Sequence, residues 1–263
     1  MDYAVPVAFT IAVWWLSTVV LLYRTGLPSS TFRATLLGAS FVLVLAVGGL
    51  WFTRSDPSAA AAYIAFTSAL AIWAWHEVSY FLGFINGPRA LPCPPNVSSW
   101  RRFVFGVRAS LYHELAIVAT AAFIAIVTWQ AVNQIALWTF VILWLMRWSA
   151  KLNIFLGVRN LHREYWPDHL RYLDSYARQK TMNGFFPVSI LVACVALWVL
   201  GAAAVAAAGD PTGRTGAVLM ATLLALAILE HCFLVLRVPD DALWKLGTRE
   251  RNAAPVVSGE LPP

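Results

Sequence analysis

The chain has 263 residues, of which 60% are hydrophobic and only 12% charged, with 13 Trp and a mean hydropathy of +0.67. Such a composition excludes an ordinary soluble domain and defines a polytopic membrane protein. The net charge of +6 suits apposition to anionic lipid, and no nucleic-acid motif accompanies it.

At about 20 residues per helical span, seven spans are predicted: Val5 to Tyr23, Ala34 to Phe52, Ser58 to Phe81, Leu111 to Trp129, Ile135 to Phe155, Phe186 to Ala207 and Gly216 to Leu236. The fold class is therefore all-α, a membrane helical bundle, with residues 1–245 as a single seven-helix domain and residues 246–263 as a polar, disordered tail. The first span reads as an uncleaved anchor, because only Met1 to Ala4 precede it and Tyr23-Arg24 follow where a cleavage site needs small residues. Gly87 to Asn96, GPRALPCPPN, is too rich in proline for regular helix. It leads into Ser98 to Ser110, where Trp100, Phe103 and Phe105 mix with Arg101, Arg102 and Arg108, a mixture that favours the headgroup region. Pro167 to Gln179 carries Pro at a helix start, Asp168 in the first turn and Leu170, Leu173 and Tyr176 along one face, and predicts a short amphipathic helix on the membrane surface. The small-residue run Gly201 to Gly209 reads as close helix packing. Cys93, Cys194 and Cys232 form no CxxC pair and read as small buried hydrophobes.

All but Arg54 and Arg214 of the 19 Lys and Arg fall on one side of this topology. Because basic loops stay cytoplasmic, the N-terminus is expected outside and the C-terminus inside, which requires an odd number of spans. The chain that follows is a multi-pass one with most of its polar mass on the cytoplasmic side.

Three His-Glu neighbours, His76-Glu77, His113-Glu114 and Glu230-His231, then sit at the cytoplasmic ends of spans three, four and seven. A charge in a transmembrane segment costs about 2.5 to 3.5 kcal/mol on insertion scales, so it is kept where it pairs, binds or reacts. Span five ends at the same depth with Arg147, Lys151 and Asn153, and His162 and His169 follow in the adjoining cytoplasmic segment, with Arg159 and Asn160 before them. Arg147 and Lys151 are four apart and face the same way. Three readings of this convergence stay open. Imidazoles and carboxylates His76, Glu77, His113, Glu114, His162, His169, Glu230 and His231 could ligate a transition metal such as iron, as carboxylate-bridged bundles do. An imidazole could instead ligate the magnesium of a bacteriochlorophyll-type pigment against an aromatic wall. Finally, Glu77, Glu114 and Glu230 could pair with Arg147, Lys151 and Arg108 in a structural network. Arg147, Lys151, Asn153, Arg159 and Asn160 are the candidates to meet a substrate carboxylate such as a tetrapyrrole propionate. No Gly-rich phosphate loop, Ser-His-Asp signature or inverted repeat is visible, which argues against ATPase, hydrolase and transporter classes.

GPRALPCPP at Gly87 to Pro95, SLYHELAI at Ser110 to Ile117, AKLNIFLGVRNLHREYWPDHLRYL at Ala150 to Leu173 and LAILEHCFLVL at Leu226 to Leu236 resemble the photosynthetic complex assembly protein 2 family. The resemblance spans the chain up to Lys245. It implies an inner-membrane protein of anoxygenic phototrophic bacteria, associated with reaction-centre and light-harvesting complex subunits or with pigment-biosynthesis proteins that supply bacteriochlorophyll. It carries no catalytic residues over. Two function classes follow: an assembly factor that binds and turns nothing over, or a metal-dependent, di-iron-type membrane oxidoreductase acting on a tetrapyrrole or another lipophilic substrate.

Overall fold

The computed structural model describes residues 3–161, 166–207 and 209–236, whose regular structure is helical apart from one isolated parallel bridge between Val158 and Gln179. In chain order the helices are α1 (Ala4–Thr25), α2 (Phe32–Thr53), α3 (Ala59–Phe81), α4 (Ser99–Ala109), α5 (Leu111–Val127), α6 (Ile135–Leu156), α7 (Phe185–Ala206) and α8 (Pro211–Phe233), with a 3₁₀ segment at Asp168–Tyr176 between α6 and α7. Six of them, all but α4 and α5, are long and apolar enough to cross a membrane; α4 and α5 meet the test together but are bent by 63°.

The ends of α5 show that it runs from one end of the bundle to the other nonetheless. The backbone N–H of His113 donates to the Asn86 carbonyl at 3.0 Å, just past the end of α3, while that of Asn133 donates to the Arg54 carbonyl at 3.0 Å, at the opposite end of α2. With 17 residues, α5 rises about 25 Å, at the lower limit of length for a span, and α4 is left as an amphipathic helix on the basic end of the bundle. Its first turn is capped by Ser98, whose hydroxyl accepts from the Arg101 N–H at 3.3 Å.

The seven predicted spans correspond to α1, α2, α3, α5, α6, α7 and α8. The last begins five residues earlier than expected, because Asp210 caps it by accepting from the Thr212 N–H at 3.0 Å and Pro211 opens its first turn. The predicted surface helix at 167–179 is a 3₁₀ run rather than an α-helix. Its apolar residues Leu170, Leu173 and Tyr176 recur every three positions, so a threefold turn, not a 3.6-fold one, keeps them on one face.

α3 is the hub: it touches α1, α2, α5, α6 and α8. Its small residues Ala61, Ala62, Ala65 and Ala69 are buried and let the neighbours approach closely, as bundles in lipid require. Around them pack Leu50 of α2, Ile117 and Ile124 of α5, Phe140 of α6 and Leu219 and Leu223 of α8. The small-residue run at 201–209 behaves differently from its expectation: among its described residues only Ala204 is buried, against Ala217 and Val218 of α8. None of the three cysteines is fully buried either, and Cys194 lies exposed on the outer surface of α7.

Two glycines shape the basic end. A Cβ on Gly87 would collide with the backbone of Arg108 and Ala109, so the proline-rich loop can press against the end of α4 only with glycine there. Gly157 takes φ 125°, a conformation that L side chains rarely adopt, and turns the chain out of α6 against Lys180. The expectations for His162 and for the tail at 246–263 lie outside the described residues.

Reporters fused at Pro88 and at Ala131 should read opposite sides of the membrane, because α5 lies between them. Finding both on one side would reduce the bundle to six spans.

Candidate functional site

Near the basic end of the bundle, two ion pairs between buried carboxylates and half-buried cations join three helices. Arg147 of α6 binds Glu77 of α3, and Lys151, one turn on, binds Glu114 of α5. Glu77 and Glu114 are 7% and 8% exposed, so each carboxylate depends on its cation. Between the pairs stands Tyr80, one turn after Glu77, with the Arg147 guanidinium carbon 5.2 Å and the Lys151 ammonium 5.4 Å from its ring centre. Such placement over an aromatic face attracts both cations. The cluster holds two positive and two negative charges and is neutral overall.

Behind Tyr80 lie two of the three span histidines, His76 and His113. The His113 ring is 4.5 Å from that of Tyr80 and 6.1 Å from that of His76. One nitrogen of His76, Nε2, shares a hydrogen bond with the Thr120 hydroxyl of α5 at 2.9 Å. His76 Nδ1, both ring nitrogens of His113, Glu114 Oε2 and Arg147 Nε are buried with no protein partner. Leaving a buried polar group unmet costs about 1–3 kcal/mol, so this concentration in one place separates the cluster from an ordinary structural salt bridge.

In front of Tyr80 opens a cavity of about 150 Å³. Its floor includes Tyr80, Glu114 and Lys151, and its walls include Phe103 of α4, Trp148 and Phe155 of α6, and Trp166 and Tyr176 around the 3₁₀ segment. A cavity of that size has room for an aromatic ring or a short run of alkyl chain rather than a whole tetrapyrrole macrocycle.

The other sequence candidates divide plainly. His231 belongs to the same depth but to another face of α6: its Nε2 meets the Ser149 hydroxyl at 3.0 Å and its Nδ1 the Ala227 carbonyl at 2.8 Å. Glu230 lies exposed on the bundle surface, where it accepts from the Trp14 indole of α1 at 3.1 Å. Arg108, the cation expected for it, is exposed on α4 and makes no ion pair with it. His169 is exposed over Gly83, its ring 5.9 Å from that of Phe32. Asn153 is a strut, donating to the Ser149 carbonyl at 3.0 Å and the Ser189 hydroxyl of α7 at 3.1 Å. Asn160 donates to the Phe233 and Leu236 carbonyls at 2.6 and 2.7 Å and, with the Arg159 backbone, ties the loop after α6 to the end of α8.

The sequence reading did not single out Tyr80 as the centre of the pairs, nor the cavity walls, nor Asn183. The last donates to Asn153 Oδ1 at 3.0 Å and accepts from the Phe185 and Phe186 N–H groups that open α7. An Asn just before an apolar run is the available signal for that role.

The donor set fits a metal poorly. Among the described residues no three His, Cys, Asp or Glu side chains come together as ligands, and both buried carboxylates near the histidines already face cations whose charge opposes a metal ion. At His76 and His113, which are 2% and 0% exposed, pigment ligation meets a steric limit, with no open side for a macrocycle; His169, by contrast, is exposed.

The fold and site define a polytopic helical membrane protein with a neutral charge cluster beneath an aromatic cavity. The chain belongs to the family described as protein of unknown function (DUF3623), whose model matches residues 1–254. It is similar to the "uncharacterized 30.4 kDa protein in puhA 5′ region" of Rhodobacter capsulatus, 38% identical over 247 residues that cover 89% of this chain and 87% of that protein. No solved structure matches it.

Removing one partner of a buried pair strands the other's charge. Lys151→Met should therefore lower stability by about 3–5 kcal/mol, while Glu114→Leu combined with Lys151→Met should recover most of the loss. Thermal unfolding of the purified variants in detergent checks both; a double variant as unstable as the single one would show that the pair is not the source of the loss.

Proposed function

We propose that the chain serves the biogenesis of photosynthetic complexes as a binding factor, holding a lipophilic molecule at the cytoplasmic end of its bundle. The observation that carries this reading is the aromatic-walled cavity that opens directly over Tyr80, Glu114 and Lys151. A hydrophobic pocket with a few convergent polar groups is the usual form of a small-molecule site, and this one lies where both lipid and the basic face can supply an occupant. The resemblance to photosynthetic complex assembly proteins supports the biological setting, as does the relative encoded in the puhA 5′ region. The lipophile is a component of complex assembly or of bacteriochlorophyll supply, bound through a chain or a ring substituent.

The pairing of Glu77 and Glu114 with cations favours binding over metal-based oxidation. On this account His76 and His113 are internal members of a polar network, and the purified protein should hold a transition metal at well below one per chain. An equimolar metal whose occupancy falls in His113→Ala would establish the oxidoreductase reading in its place.

Gly106 lines the cavity, and a Cβ there would meet Tyr176 only in ordinary van der Waals contact. Gly106→Leu should therefore fill the cavity without unfolding the protein. In a phototroph lacking the wild-type gene, that variant should accumulate normally and yet restore little of the complexes' absorbance. Full restoration with the cavity filled would overturn the proposal.

A further inference from the structure

Beside the cavity mouth two arginines are held close without a counter-charge. Arg102 of α4 donates through one terminal nitrogen to the Phe155 carbonyl at 2.9 Å, and its guanidinium carbon lies 4.3 Å from the Phe155 ring centre. Arg178 donates to the Ser99 hydroxyl at 3.0 Å, one turn before Arg102 on the same helix, and its backbone N–H donates to the Ile154 carbonyl at 3.2 Å. The Arg178 charge acts unfavourably on that of Arg102. Among the described residues neither makes an ion pair, and Arg102 Nε is buried with no partner.

Two guanidiniums anchored on the same stretch of α4 and the end of α6, close enough to repel and each with donors to spare, are a costly arrangement unless an anion completes it, and planar guanidinium forks suit phosphate oxygens in particular. The residues that hold them are also residues of the cavity: Ile154, Phe155 and Ala177, the neighbour of Arg178, all line it. Asp174 lines it as well and has an interaction of its own. Charge and cavity therefore adjoin, at the end of the bundle where headgroups lie.

We propose that this corner binds a phosphate-headed amphiphile, its phosphate on Arg102 and Arg178 and the start of its apolar chain in the cavity between Phe103, Trp148 and Phe155. The proposal rests on the reading of the cavity as a lipophile site and adds the chemistry of the head. A bilayer phospholipid and a free phosphorylated lipophile share that chemistry.

The test uses the full chain purified in a neutral detergent, with dodecyl phosphate, dodecanol and inorganic phosphate as probes. Dodecyl phosphate should bind at least about tenfold more tightly than either of the others. Arg102→Gln with Arg178→Gln should remove that preference, and Gly106→Leu should weaken both alkyl probes. Should the double variant fail to fold, Arg178→Gln alone is read, for its side chain bonds only the exposed Ser99 hydroxyl. Equal binding of dodecyl phosphate and dodecanol would overturn the phosphate assignment and leave the cavity reading standing. Binding of inorganic phosphate as tight as that of dodecyl phosphate would overturn the role of the chain, and no binding of either alkyl probe would overturn both readings. Lipid extraction separates the two sources: a phospholipid retained by the wild type and lost from the double variant comes from the bilayer, whereas a clean extract with binding on addition marks a free lipophile.

Discussion

Burying ionised groups inside a membrane bundle is the constraint from which the rest of this structure follows. Glu77 and Glu114 stand on two helices and Arg147 and Lys151 on a third, one turn apart, so that a single face of α6 neutralises both. A charge left without its partner in an apolar interior would be costly. The pairing therefore fixes the rotation of α3 and α5 against α6, and Tyr80 fills the space between the pairs with a ring that both cations can approach.

The same pairing decides what the site can do. With its charges cancelled, the floor of the cavity is polar but has no net charge, and the histidines behind Tyr80 are shut away from both lipid and solvent. What remains reachable is the cavity itself, with aromatic walls supplied by α4, the end of α6 and the 3₁₀ segment. The free positive charge lies at its edge, on Arg102 and Arg178. A lipophile that enters from the membrane meets apolar walls first and charge last, an order suited to holding an amphiphile at the interface.

Much of this architecture was legible in the sequence, and for definite reasons. Apolar runs of span length located the seven crossing helices, since in lipid a helix must satisfy its own backbone. Counting basic residues aligned the ends of spans three, four and seven, and in the structure the rings of His76 and His113 lie 6.1 Å apart while His231 meets Ser149, between Arg147 and Lys151 on α6. Depth, however, is not rotation. Which carboxylate meets which cation depends on helix azimuths that no local pattern reports, so Glu230 could be matched to Arg108 on paper while in the structure it reaches Trp14 on α1. The cavity was illegible for a related reason. Its walls come from segments far apart in the chain, Phe103, Phe155 and Trp166 among them, each of which reads locally as an interfacial aromatic. The threefold spacing of Leu170, Leu173 and Tyr176 was visible and suited a 3₁₀ turn better than the α-helix expected of it.

The central claim is that the basic end of the bundle is a binding cavity set on a neutralised charge cluster, and not a metal centre. An experimental density map of the protein purified from its own membrane tests this most directly. The account requires elongated, non-protein density between Phe103, Trp148 and Phe155 over the ring of Tyr80, with Glu77 and Glu114 still on Arg147 and Lys151. A strong spherical peak bridging His76 and His113, with either carboxylate turned away from its cation to join it, would contradict the account.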